Sequence, residues 1–576
     1  MHGRSFVSVL VAGELALAFA VSVPVTVVPE HVAAAEQPAA PAEPVPADIT
    51  GALPPSAVAP APPAADGTSP QPAGTSALDA ADPSQLSAAA SPAPAADAVV
   101  TRIRLNLADT SSRKGAAATD VAAVQAFYAE RSEAAVWITP MGFSAKAQAA
   151  IDEIGEADDW GLSAQAFKLP PAGALPATIE AQAEAEIALQ LAILQYARFA
   201  RGGRANPSSL SKLIDQSPSF REPKAVLVEI ATSDAPDDYL RSLHPKHEQF
   251  HFLRQALLKA RGAGDGAKKN GNERDIQLIL INMERWRWMP EDLGRKYVQD
   301  NVPEFMLYVV KDGKPIHSDK IVVGLLRYAT PIFSADMRTI VFNPEWTVPP
   351  TIVRENLLPN LRGGGSWFGG GSSVLREHGL KVKYNGRTVD PGSINWSSVN
   401  MAKIAFVQAP GPTNVLGKLK FLYPNKHIVY MHDTIKPNLF KSAVRSEGHN
   451  CIRMEKPSKL AEILLVEDKG WDAKKVQDLV AKGYDSAVNL DHPIPVHTTY
   501  FTAVADADGK VTRFADIYGL DKKVAPAILG KTLPAEPPPP AEAAAETNTE
   551  TAQSTPNTAA NARAADSTET LFDTRR

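Results

Sequence analysis

The 63 positions from Glu36 to Ala98 hold 14 Pro and 21 Ala and no aromatic residue. Such a stretch has too little apolar bulk to offset the entropy of ordering it, so 36–98 reads as a disordered, extended Ala/Pro-rich linker. At the rise of a polyproline II chain, about 3.1 Å per residue, it reaches well over 100 Å. The tail 531–576, with Pro537 to Pro540 and then Ala, Glu, Thr and Asn residues, reads as disordered in the same way. Packing is therefore confined to the positions between, enough for a pair of domains of ordinary size.

Residues 1–35 read as a signal peptide. Arg4 gives a weak positive start, an apolar run extends from Phe6 to Val28, and Ala33, Ala34 and Ala35 offer a small-residue cleavage site. Glu14 and Pro24 interrupt the run, which counts against a spanning helix of about 20 apolar residues; an uncleaved anchor is the alternative. No Cys follows this segment, so lipid attachment there is excluded. The expected location is the cell envelope or periplasm. With 59 basic against 64 acidic residues, a net charge of -5, the chain has no excess of cations to suggest a nucleic-acid partner. The single Cys excludes a disulfide framework and a Cys-rich zinc site. An unpaired thiol in an oxidising compartment is a candidate nucleophile.

The folded part reads as an α+β protein in two units. From 99 to 271 the period is helical: Val121, Val124, Phe127 and Tyr128 follow the candidate caps Thr119 and Asp120, and Ile187, Leu191 and Leu194 repeat the pattern after Thr178. Gly262 to Asn272 reads as a flexible joint, and Ile276 to Trp288 as a further helix. Within 272–530 the period turns to two, with a mainly β core over 296–485. Val302–Val310 and Pro315–Val323 flank Asp312-Gly313, a tight-hairpin signature. Further strands are expected at Thr339–Phe342, His427–His432 and Val496–Ala503, and helices at Pro457–Val466 and Ala473–Lys482. The segment 349–396, with Gly363 to Gly365, Trp367, Phe368 and Gly369 to Gly371, reads as an irregular insertion, a mobile lid over a site or else a plain surface loop.

Two segments carry chemistry: Tyr430-Met431-His432-Asp433-Thr434 and Ser446 to Met454, with Gly448-His449-Asn450-Cys451 at its centre. A thiol needs a base. An imidazole that takes its proton also stabilises the thiolate and lowers its pKa. The backbone N–H groups of Asn450 and Cys451 are candidates for an oxyanion hole. On spacing alone, Cys451 also fits a small buried hydrophobe, and His432 and His449 with Cys451 also fit a zinc set.

The segment from about Ile276 to Gly519 resembles the YkuD-type L,D-transpeptidases, and more closely the large YcbB-like subgroup. The resemblance rests on Asn343 to Pro350, Leu416 to Phe421, Val429 to Thr434, Cys451 to Met454 and Pro495 to Tyr500. The region from Val99 to Gly262 resembles the subgroup's scaffold domain. The family places a His 14 to 17 residues before Ser/Thr-His-Gly-Cys; here 15 residues separate His432 from Gly448. Gly448 replaces the Ser/Thr and Asn450 replaces the Gly, a position at which left-handed backbone is a concern.

The resemblance implies a peptidoglycan L,D-transpeptidase without cofactor or metal. Cys451 attacks the diaminopimelate carbonyl of a tetrapeptide stem, expels D-Ala and forms a thioester, and a second stem's amine resolves it to a 3-3 cross-link. His432 carries the protons, and the Asn450–Gly448 turn holds the oxyanion. Arg453, His449 and Tyr430 are candidate substrate contacts, with an internal ion pair the alternative for Arg453 and a structural role the alternative for His449. The partners so implied are donor and acceptor stem peptides, together with the membrane-side cell-wall machinery. Two other readings remain: an L,D-carboxypeptidase, in which water resolves the thioester, and a non-catalytic peptidoglycan-binding scaffold, suggested by Gly448 and Asn450.

Overall fold

The computed structural model describes residues 95–530 apart from 109–112, 114, 172–176, 263–268 and 364–369. The expected signal peptide, nearly all of the linker and the tail 531–576 lie outside the described residues. The first helix, Ala95–Ala108, begins inside the stretch that composition marks as linker.

The N-terminal half is helical. Helices Ala118–Glu130, Ala145–Gly155, Ile179–Gly202 and Pro223–Thr232 enclose Val124, Phe127, Tyr128, Trp137, Ile187, Leu194 and Leu227. Thr178 caps the long helix, its hydroxyl accepting from Ala181 N–H at 3.2 Å. The expected caps Thr119 and Asp120 lie inside the helix instead. That helix starts after Ala117 without a side-chain cap, and the Asp120 carboxylate is taken by Arg198. Buried Glu186 accepts from Tyr128 Oη, from Val136 N at 2.7 Å and from Ile138 N at 3.0 Å, tying the aromatic segment to the long helix.

The junction is less a joint than a helix. Lys269–Trp288 starts within the expected joint and crosses the 271/272 boundary, while 263–268 lie outside the described residues. Met283 and Trp286 pack with Phe250, Leu257 and Phe501, whereas Ile281 and Trp288 enter the core of the sheet. A short strand of the helical half, Ile214–Asp215, adds in parallel to the strand Ile332–Phe342.

The β part grows from the predicted hairpin. Met306–Lys311 and Lys314–Gly324 pair antiparallel across Asp312 and Gly313, whose φ values of 49° and 75° suit the two-residue turn. The neighbours run Leu419–Leu422, Met431–His432, Ile452–Met454, Lys314–Gly324, Met306–Lys311, Lys296–Asn301, Ser486–Thr499 and Ile332–Phe342. The last pairs back onto the first through Leu419↔Phe342 to Leu422↔Thr339, so the sheet closes into a ring. The expected strand over 427–432 is reduced to its last two residues, because the side chain of Asn425 binds the preceding backbone into a loop. Its Oδ1 accepts from His427 N and Val429 N, and its Nδ2 donates to Tyr423 O and Val429 O.

The segment 349–396 is far more regular than its glycines suggest. It contains helices Pro350–Ile352, Leu358–Gly363 and Gly370–Glu377 and strands Leu380–Tyr384 and Arg387–Val389. With Ile404–Gln408 and Trp346–Thr347 those strands make a four-stranded sheet over Leu357, Leu375, Val382 and Phe406. The Gly/Trp/Phe-rich centre, 364–369, lies outside the described residues.

Candidate active site

Strand register builds the site. Lys420 stands opposite His432, and His432 opposite Arg453; the neighbouring row is Phe421, Met431 and Ile452. Side chains on adjacent rows point to opposite faces. The apolar row is fully buried in the sheet core, so Lys420, His432 and Arg453 share the other face.

Tyr430, two residues before His432, falls on that face as well, with ring centroids 5.7 Å apart. Its hydroxyl and its backbone N–H both engage the sulfur of Cys451, and the side chain of Trp346 donates to the same hydroxyl. Ile452 N donates to Tyr430 O at 3.2 Å, fixing the parallel register that brings Cys451 alongside. Tyr430 thus touches both His432 and Cys451, and also packs against the apolar cluster that includes Leu357, Leu375 and Phe406. The strand Ile452–Met454 separates Cys451 from the helix that starts at Pro457.

His432 Nδ1 lies 2.5 Å from the carbonyl oxygen of Asp433. A carbonyl only accepts, so Nδ1 carries the proton and Nε2 presents the lone pair. The orienting group is a backbone carbonyl. The Asp433 carboxylate is turned to the N–H groups of Lys418 and Thr434.

Burial, then the Arg453 cation, hold the His432 imidazole down at about 3, against the Asp433 carbonyl, while Lys420 lowers it further. Burial pushes the Cys451 thiol up to about 11, against Tyr430, Lys420 and Arg453. The resting pair is therefore neutral thiol and neutral imidazole. The expectation of an imidazolium that lowers the thiol pKa fails for the free protein, because desolvation outweighs every attraction in the site. Alkylation of Cys451 by iodoacetamide should consequently climb steeply above pH 8. At pH 7 it should run roughly 100-fold slower than for a free cysteine peptide. A rate plateau extending below pH 7 would show a stabilised thiolate and overturn this assignment.

The two departures from the family pattern have local causes. Gly448 pairs with Gly324, and a Cβ there would sit 3.2 Å from Val323 O, tighter than most contacts. Asn450 does not have positive φ, so the backbone concern does not apply. Its Nδ2 donates to His427 O at 3.4 Å and its carbonyl accepts from Thr330 Oγ1 at 3.0 Å, tying the Cys451 turn on both sides. The N–H groups of Asn450 and Cys451 take no acceptor among the described residues. His449 stacks on Tyr328, centroids 4.1 Å apart, and Tyr328 Oη donates at 2.6 Å to Glu355 of the 349–396 insertion. Among the described residues, no three His, Cys, Asp or Glu side chains gather as a metal set.

Sequence reasoning missed two residues here. Ile428, 70% exposed, has φ 58°, a left-handed conformation that is costly for a β-branched residue. Its carbonyl accepts from Cys451 Sγ at 3.9 Å, and the Asn425 bracket holds it in place. The other is Lys420, which matters only through its cross-strand position beside His432.

Residues 295–480, which contain Tyr430, His432 and Cys451, match the L,D-transpeptidase catalytic domain, YkuD. Residues 122–257 match the Scaffold domain. Over 249 residues, 43% of this chain and 49% of the relative, the chain is 29% identical to a Haemophilus influenzae protein named "Putative L,D-transpeptidase". It spans about half the length of that curated relative.

Proposed function

Because residues 295–480 belong to the YkuD family of L,D-transpeptidase catalytic domains, we propose that the protein cross-links peptidoglycan stem peptides through a thioester on Cys451. The observation that carries this reading is the shared neighbour Tyr430, which joins the only thiol of the chain to an imidazole with an oriented Nε2.

His432 Nε2 takes the thiol proton as sulfur attacks the diaminopimelate carbonyl of a tetrapeptide donor. The C–S bond forms, and the oxyanion is held by the free N–H groups of the Asn450–Cys451 turn. The C–N bond to D-Ala then breaks, its nitrogen receiving the proton from His432. The amine of a second diaminopimelate attacks the thioester, gives up a proton to His432 and leaves a 3-3 cross-link, restoring the thiol. The lid that packs on Tyr430 screens the thioester from water, favouring aminolysis over hydrolysis. The export signal read in residues 1–35 would put this chemistry in the periplasm, beside the membrane-side cell-wall machinery.

The test is the intact mass of the protein after exposure to a carbapenem, followed by muropeptide analysis of treated sacculi. A mass adduct and new 3-3 dimers, both lost in Cys451→Ala, are expected. Release of D-Ala without dimers would select the carboxypeptidase reading. Absence of any Cys451-dependent adduct or product would leave a non-catalytic scaffold.

A further inference from the structure

Lys420 is a cation without a counter-ion. Among the described residues its half-buried ammonium makes no hydrogen bond and no ion pair. It lies 4.1 Å from the centre of the Tyr430 ring, the ring whose hydroxyl engages Cys451. On its own face stand His432, held neutral, and beyond it the Arg453 cation. Cys451 and the Asp485 carboxylate lie within electrostatic range, and Asp485 already accepts from Glu345 N at 3.3 Å. A desolvated ammonium is costly unless an anion completes it. An unpaired ammonium beside a neutral base makes this face receptive to negative charge.

We propose that Lys420 is a specificity-determining residue that receives the terminal carboxylate of the donor stem. This rests on the transpeptidase reading above. In a tetrapeptide donor that carboxylate lies three bonds beyond the carbonyl carbon under attack, so a cation beside the nucleophile meets it as the C–S bond forms. A stem longer by one residue presents an uncharged peptide group at the same place and leaves the ammonium unpaired. Lys420 thereby reads the end of the chain, and the carboxylate departs with the leaving amino acid, freeing the site for the acceptor. The diaminopimelate side-chain carboxylate has the same chemistry, and the test separates the two.

The experiment compares kcat/KM for acylation of wild type, Lys420→Met and Lys420→Arg with three donors. These are the tetrapeptide, its C-terminal carboxamide, and the tetrapeptide amidated on the diaminopimelate side-chain carboxyl. Wild type should lose at least about tenfold on the C-terminal carboxamide and little on the third donor. Lys420→Met should bring the free acid down to the carboxamide level, chiefly through KM, so that the ratio between the two donors falls to about one. Lys420→Arg should keep much of the preference, since the charge survives. Thermal melting of each variant separates a folding loss from a recognition loss, and the wild-type comparison of donors needs no variant. Equal use of acid and carboxamide by wild type would overturn the assignment and leave the transpeptidase reading intact. So would equal loss on both donors in Lys420→Met, or a penalty that follows the side-chain carboxyl. Failure of wild type to acylate with any donor would instead bring down the transpeptidase reading, and this proposal with it.

Discussion

Replacing His432 with Gln is expected to slow acylation of Cys451 by about 10²–10⁴-fold while leaving the fold intact. The imidazole sits on the face of the sheet away from the core, so its loss opens no cavity among the apolar rows formed by Phe421, Met431 and Ile452. What is lost is the oriented Nε2 lone pair proposed to take the proton of a thiol that burial holds up at about 11. The pH dependence makes the assignment sharper. The base must be unprotonated, and burial with the Arg453 cation keeps it so down to about 3. The acid limb of kcat/KM for acylation should therefore lie far below the ordinary histidine value, with rates flat from pH 5 to pH 7.5. Stopped-flow acylation by a carbapenem across that range measures it. A limb centred near pH 6.5 would mean that His432 is solvated in the working enzyme and that the closed site described here is not the reacting one. An undiminished rate in His432→Gln would remove the residue from the mechanism altogether.

The chain makes some of this plain and hides the rest for physical reasons. His432 and Cys451 are legible as a candidate pair because the motif is local in sequence and its residue types suit thiol chemistry. The hairpin about Asp312-Gly313 is legible because only a few residues take positive φ without strain. Lys420 is not legible as a site residue, since its place opposite His432 depends on the pairing of two strands across an intervening loop. The insertion 349–396 is misread because its glycines and turns outweigh strands as short as Leu380–Tyr384, whose partner Ile404–Gln408 lies beyond an intervening loop and pairs on its other edge with Trp346–Thr347. Asp120 is misread as a cap because a distant Arg198 competes for its carboxylate. The charge state of the Cys451–His432 pair could not be read at all. Sequence names the two groups, but only burial says that both are neutral at rest.

Burial also sets the second large expectation, which concerns Asp300. It lies on the strand Lys296–Asn301 opposite Leu307 and Thr498, fully buried. Neither carboxylate oxygen, nor Tyr423 Oη, nor Thr498 Oγ1, has a hydrogen-bond partner among the described residues. Desolvation pushes the Asp300 carboxyl up to about 8. In the unfolded chain the group ionises near its ordinary value of about 3.9, so between those limits the native state holds a proton that the unfolded state releases. Stability from this group is complete below about pH 4 and is lost as pH rises toward 8. At about 1.4 kcal/mol per pKa unit, the loss between pH 5 and pH 8 is on the order of 3–5 kcal/mol. Asp300→Asn, close in shape and unable to ionise, should abolish that slope and leave the variant more stable than wild type at pH 8. Urea unfolding of both proteins at pH 5 and pH 8 gives the difference directly. Parallel changes in the two proteins would show that the carboxylate is hydrated or paired, and that this part of the core is wetter than its packing indicates.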